Sequence, residues 1–102
     1  MATPANMAQI RNAPTSVRDG IFGKTAFARD LIWLRFRRLR LSQTAFADRF
    51  GLSLGMVKDQ EQARVAPSGA LRVLVAAIEL DPALIERAAR TAAERWGADV
   101  PQ

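Results

Sequence analysis

Residues 41–68 read LSQTAFADRFGLSLGMVKDQEQARVAPS. The order is helix, glycine, serine, helix, proline. Ser42 can accept an orphan amide hydrogen of the following turn and so opens a helix. Phe46, Ala47 and Phe50 fall on one face of that helix, and Gly51 ends it, because glycine enters the left-handed cap conformation freely. Ser53 then caps a second helix after one intervening residue. This second helix offers a core only Val57 and part of Met56; Lys58, Asp59, Gln60, Glu61 and Gln62 are polar. A short helix so poor in apolar surface, tied closely to a well-packed one, is the pattern of a helix-turn-helix. There the first helix packs and the second lies against a nucleic-acid groove.

Outward from this pair the helical pattern continues. Over 24–41, Ala28, Ile32, Phe36 and Leu39 form one stripe and Phe27, Leu31 and Leu34 another, with Arg29, Arg35, Arg37, Arg38 and Arg40 filling much of the remainder. The arginine run fits a solvated face or a phosphate-facing one. On the other side, Ala66-Pro67-Ser68 is a break, and Ser68 caps a helix carrying Leu71, Leu74, Val75 and Ile78. Asp81-Pro82 is an acidic cap with proline at the first helical position. The last helix runs over 82–96 with Leu84, Ile85, Ala88, Ala89, Ala92, Ala93 and Trp96 on a broad stripe, and Gly97 stops it. Ala88, Ala89, Ala92 and Ala93 suit tight packing within the chain or a dimer seam equally. Trp33 and Trp96 are each a core residue or an interface anchor. The fold class expected is all-α, with five helices and no strand.

The composition narrows the chemistry. With 102 residues the chain fits one small domain with tails, and 49% hydrophobic residues argue for a packed fold. Cysteine and histidine are both absent, which removes disulfides, thiolate nucleophiles, the commonest general base and the commonest metal ligands. Only scattered carboxylates remain for catalysis, so the expectation is no enzyme, no metal and no cofactor. The net charge is +5, and lysine occurs only at positions 24 and 58, so arginine supplies the rest. Arginine suits bidentate phosphate recognition. No apolar run approaches a membrane span, and residues 1–20 lack the apolar core of a secretory signal, so a cytoplasmic protein without membrane contact is expected. Residues 1–23, with Pro4, Pro14 and Gly20 and weak periodicity, read as a flexible or partner-ordered arm; 24–97 form the domain and 98–102 a tail. There is no internal repeat.

Ser42-Gln43, Phe46-Ala47, Gly51, Ser53, Val57, Glu61 and Pro67, taken in register, resemble the XRE family of helix-turn-helix proteins, which includes phage Cro and lambda-type repressors. The resemblance covers about residues 30–86. Within that family, EQARVAPSGALRVLVAAIELDP over 61–82 is most similar to HigA-type antitoxins. The resemblance implies a five-helix lambda-repressor-like domain that binds double-stranded operator DNA as a homodimer, represses its own operon and, for the HigA type, neutralises a messenger-RNA-cleaving toxin partner. It implies a DNA-binding set of Gln43, Thr44, Ser53, Leu54, Gly55, Met56, Lys58, Asp59, Gln62 and Arg64. It gives Phe46, Ala47, Phe50, Leu52 and Val57 to the core of the motif, and Glu61 reads as a helix-end salt-bridge partner.

Three positions depart from the family pattern. Arg40 stands where a glycine often ends the first helix, Gln60 replaces a bulky apolar or aromatic residue, and Ala63 replaces the glycine that closes the recognition helix. Leu54, Gly55 and Asp59 are weak base readers: Leu54 can pack on a thymine methyl, and Asp59 can accept from a cytosine amino group but repels phosphate. Two alternatives follow. One is the same fold regulating a phage or mobile element without a toxin partner. The other is an adaptor that binds proteins, not DNA, through its apolar faces.

Overall fold

The computed structural model describes residues 23–99, and all regular structure among them is helical. Helix α1 spans Ala26–Ile32 and continues as a π-helical segment, Trp33–Arg38; α2 is Gln43–Phe50, α3 Leu54–Glu61, α4 Gly69–Leu80 and α5 Pro82–Trp96, with a 3-10 turn at Gly97–Asp99. Side-chain caps start every α-helix. Thr25 Oγ1 accepts from the Ala28 amide at 3.1 Å, Ser42 Oγ from Ala45 at 3.0 Å, Ser53 Oγ from Met56 at 3.1 Å, Ser68 Oγ from Leu71 at 3.1 Å and Asp81 Oδ1 from Leu84 at 3.1 Å. The Thr25 cap sets the start of α1 two residues later than the periodicity suggests. The expected arm lies, except for Gly23, outside the described residues, as does the tail past Asp99.

Three helix ends share one device. Gly51, after α2, has φ 71°, and the Leu52 amide donates to the Ala47 carbonyl at 2.9 Å. After α3, Ala63 has φ 55°, the Arg64 amide donates to the Asp59 carbonyl at 2.9 Å, and the Ala63 amide donates to the Gln60 carbonyl at 3.1 Å. This is a Schellman closure with alanine in the glycine position. After the π segment, Arg40 has φ 58° and the Leu41 amide donates to the Arg35 carbonyl at 2.9 Å. Arg40 and Ala63, the two residues that stand in for glycine, therefore keep the glycine conformation. Gly97 does not: its φ is −59°, and the chain passes directly into the 3-10 turn.

The core is built from Leu31 and Leu34 of the first helix, Phe46, Ala47 and Phe50 of α2, Val57 of α3, and Leu71, Val75 and Ile78 of α4, with Leu52 and Leu74 packed at its edge. The Phe46 and Phe50 rings meet at 5.0 Å between centroids and 58° between planes, the tilted geometry aromatic pairs favour. Phe36, which the periodicity places on one stripe with Ala28, Ile32 and Leu39, is 58% exposed. The π segment accounts for this. The Leu39 amide donates to Leu34, five residues back, and the widened turn rotates the following side chains out of the α-helical register.

α5 behaves differently from the other helices. Its Ile85 reaches the core edge, and Ala89 lies where a Cβ on Gly51 would meet it at 3.4 Å, so the helix rests on the end of α2. Arg49 and Glu86 add an ion pair at 3.9 Å across that contact. Yet no residue of α5 is buried by the described residues: Leu84 is 46% and Trp96 55% exposed, and Ala88, Ala92 and Ala93 are exposed too. No helix among the described residues is long and apolar enough to cross a membrane.

Candidate nucleic-acid interface

α3 is anchored from beneath by residues at helical spacing. Val57, Gln60 and Glu61 are all buried, although two of the three are polar. This corrects the expectation that Val57 and Met56 alone would face inward. Opposite them, Gly55, Lys58, Asp59 and Gln62 recur at the i, i+3, i+4, i+7 spacing that shares one helix face. Gly55, Lys58 and Gln62 are exposed and Asp59 is half-buried. Leu54 and Met56 sit on the flanks, half-buried, and Met56 packs against the core.

The anchor is a polar clamp around the Glu61 carboxylate. Arg35 Nε donates to Oε2 at 2.5 Å and Nη2 to Oε1 at 2.9 Å, a bidentate pair; Gln43 Nε2 donates to Oε1 at 3.0 Å. The remaining arm of Arg35, Nη1, donates to the Leu41 carbonyl at 2.9 Å. With side-chain exposures of 11% and 6%, Arg35 and Glu61 are screened little by solvent. Truncating one partner of such a pair would strand a buried charge, which costs far more than losing a surface ion pair. One side chain from the first helix thus fixes the end of α3, the start of α2 and the turn between α1 and α2. The salt-bridge reading of Glu61 agrees with this, but its partner lies 26 residues earlier in the chain.

Gln43 consequently has two roles open to it. Its amide holds Glu61, and it also lines a cleft with Gly23, Lys24, Ile32, Glu61 and Gln62. That cleft brings Gln43 together with Gln62, and adds Lys24, which no motif in the sequence singles out. Thr44 and Ser53 are exposed, with the Ser53 hydroxyl engaged as a cap. Arg64 Nη1 donates to Asp59 Oδ1 at 3.1 Å, so these two candidate contact residues partly neutralise each other. The Lys58 side chain makes no hydrogen bond or ion pair among the described residues.

Gln60 raises a separate point. It is 6% exposed, and its Oε1 has no hydrogen-bond partner among the described residues. A polar group thus occupies the place expected for an apolar one, and hydropathy could not reveal it. The signal was the 57-60-61 spacing, which is that of an inward face.

No cluster of metal-ligating side chains occurs among the described residues. Compared with known proteins, the chain matches no family model, no curated protein and no solved structure at a significant level.

Proposed function

We propose that the chain is a sequence-specific DNA-binding transcriptional regulator with a lambda-repressor-like helix-turn-helix formed by α2 and α3. The observation that carries this reading is α3 itself. It is a short helix clamped from beneath through Val57, Gln60 and Glu61, and its outer face carries Gly55, Lys58, Asp59 and Gln62 beside Gln43 at the start of α2. Such a helix buries little apolar surface of its own. Its fixed orientation and polar outer face suit a major groove, and small or polar residues permit close approach to base edges.

In this reading the chain works by occupancy, as a cytoplasmic repressor that excludes polymerase or an activator, and performs no catalysis. The open side of α5 supplies a seam for a homodimer. Two-fold symmetry would set two α3 helices about one DNA turn apart, roughly 34–36 Å, and calls for an inverted-repeat operator. The resemblance to HigA-type antitoxins adds a toxin partner to this reading; regulation of a phage or mobile element needs none.

A second reading, the protein-binding adaptor, is favoured by one observation: Leu80, Leu84 and Trp96 are exposed on α4 and α5. Genome-wide immunoprecipitation of bound DNA separates the two. Recovery of an inverted repeat upstream of the chain's own gene is the expected result. Recovery of no reproducible sequence, together with co-purification of a stoichiometric protein through α5, would replace the regulator with the adaptor.

A further inference from the structure

The five arginines of the first helix and its closing turn have different fates. Arg29 Nη1 turns back to the Gly23 carbonyl at 3.4 Å, Arg35 clamps Glu61, and Arg38 Nη1 donates to the Glu79 carbonyl at 2.5 Å, tying the first helix to the end of α4. Arg37 and Arg40 are exposed, and their side chains make no hydrogen bond or ion pair among the described residues. These two line one cleft of about 560 Å³ together with Arg35, Phe36, Leu41 and Ser42. Ser42 is the cap of α2, and its neighbour Gln43 lines the second cleft with Lys24 and Gln62. Both clefts thus reach the entrance to α2, one through Ser42 and the other through Gln43.

Arg40 has a further peculiarity. Its φ of 58° is a conformation glycine would take without strain. The backbone around it is locked in both directions: the Leu41 amide donates to the Arg35 carbonyl at 2.9 Å, and Arg35 Nη1 donates to the Leu41 carbonyl at 2.9 Å. Arg40 thus carries a bulky cation on a left-handed helix-closing residue, the position that Ala63 takes after α3.

We infer that Arg37 and Arg40 grip a phosphodiester of duplex DNA beside the start of α2, a backbone contact that extends the footprint beyond the α3 face. The inference rests on the DNA-binding reading. Guanidinium groups match phosphate oxygens in pairs. Phe36 and Leu41 give the cleft an apolar wall against which a deoxyribose can lie. The contact positions the protein and carries no base information.

The test uses the full chain and a random-sequence duplex of about 20 base pairs, titrated by fluorescence anisotropy from roughly 50 to 200 mM salt. Arg40→Gly should weaken binding about fivefold to tenfold at the lowest salt and make the slope of log affinity against log salt shallower by about one. Its thermal midpoint should equal or exceed the wild type, because glycine relieves the strained φ. Arg40→Lys should keep the wild-type slope, and Arg37→Ala with Arg40→Gly should lose about two. If Arg40→Gly binds with unchanged affinity and slope while Lys58→Ala lowers both, DNA binding stands and the grip is overturned. The grip is likewise overturned if Arg40→Lys loses as much as Arg40→Gly. If the wild type shows no salt-dependent duplex binding, the functional reading fails and the grip with it. If an oligoglutamate peptide binds instead and Arg40→Gly abolishes that, the two cations belong to an acidic protein partner.

Discussion

α3 and α5 are the two helices whose burial runs against their composition. α3 has eight residues, half of them polar, yet Val57, Gln60 and Glu61 are buried. α5 has fifteen, with Leu84, Ile85, a run of alanines and Trp96, yet none is buried by the described residues. The difference comes from where each helix is held. Side chains from two other elements, Arg35 and Gln43, converge on the end of α3. Among the described residues, α5 meets the core edge and α2 through its Ile85, Glu86 and Ala89. In a domain this small the core is built from the other four helices, so an apolar face of α5 can remain open while a polar helix is locked. A locked helix with a polar outer face suits a charged, hydrated surface. An open apolar stripe suits another apolar surface.

The largest expected effect breaks the lock. Glu61→Ala leaves the Arg35 guanidinium buried without its carboxylate and should cost about 3–5 kcal/mol in urea unfolding. Arg35→Met combined with Glu61→Leu should recover most of that loss, because neither charge then remains. A cost below about 1 kcal/mol for Glu61→Ala would mean that the clamp does not hold α3. Gln43→Ala should also lose stability as well as DNA affinity, because it removes a hydrogen bond to the same carboxylate.

Gln60→Met acts in the opposite direction. Removing a buried oxygen that lacks a partner, at similar volume, should stabilise the fold by about 1–2 kcal/mol. Destabilisation in the same assay would reveal a partner for that oxygen in solution. A smaller gain is expected at the α3 closure, where Ala63→Gly relieves the positive φ and should add about 0.5–1 kcal/mol. Chemical denaturation that shows a loss instead would contradict the left-handed closure there.

The smallest change in fold stability, within about 0.5 kcal/mol, is expected from Leu84→Glu with Ala92→Glu on the open side of α5. On the proposed function, the same pair should dissociate the proposed homodimer in sedimentation and weaken operator binding. Ala89, though part of the same stripe in sequence, is a poor site for this test, because it faces Gly51. A wild-type chain that sediments as a monomer at high concentration, alone and on DNA, would leave α5 without the partner copy.

These contrasts also show what a sequence can carry. The caps at Ser42, Ser53, Ser68 and Asp81 were legible because each depends on a residue and the three that follow it. The Phe46, Ala47 and Phe50 face was legible from periodicity. The Arg35–Glu61 clamp was not, because it joins residues 26 apart, and an arginine run reads the same whether its members point inward or outward. The π segment was hidden because one widened turn changes the register without altering composition. The exposure of α5 was hidden for a related reason: a stripe of Leu84, Ala88 and Ala92 looks alike against a core and against solvent. At the candidate interface, Lys58 and Gln62 were singled out by the resemblance to the XRE family, whereas Lys24 comes to the cleft beside Gln43 and Gln62 only in the folded chain.

On the proposed function, DNA reading would depend on the outer face of α3, and selection from a randomised duplex pool tests that face most directly. The wild type should enrich an inverted repeat with half-sites about one helical turn apart. Lys58→Ala with Gln62→Ala, folded to the wild-type extent, should relax the same positions in both half-sites and leave their spacing unchanged. Failure of the wild type to enrich any sequence, or the same enriched sequence from both proteins, would contradict the claim that α3 reads DNA.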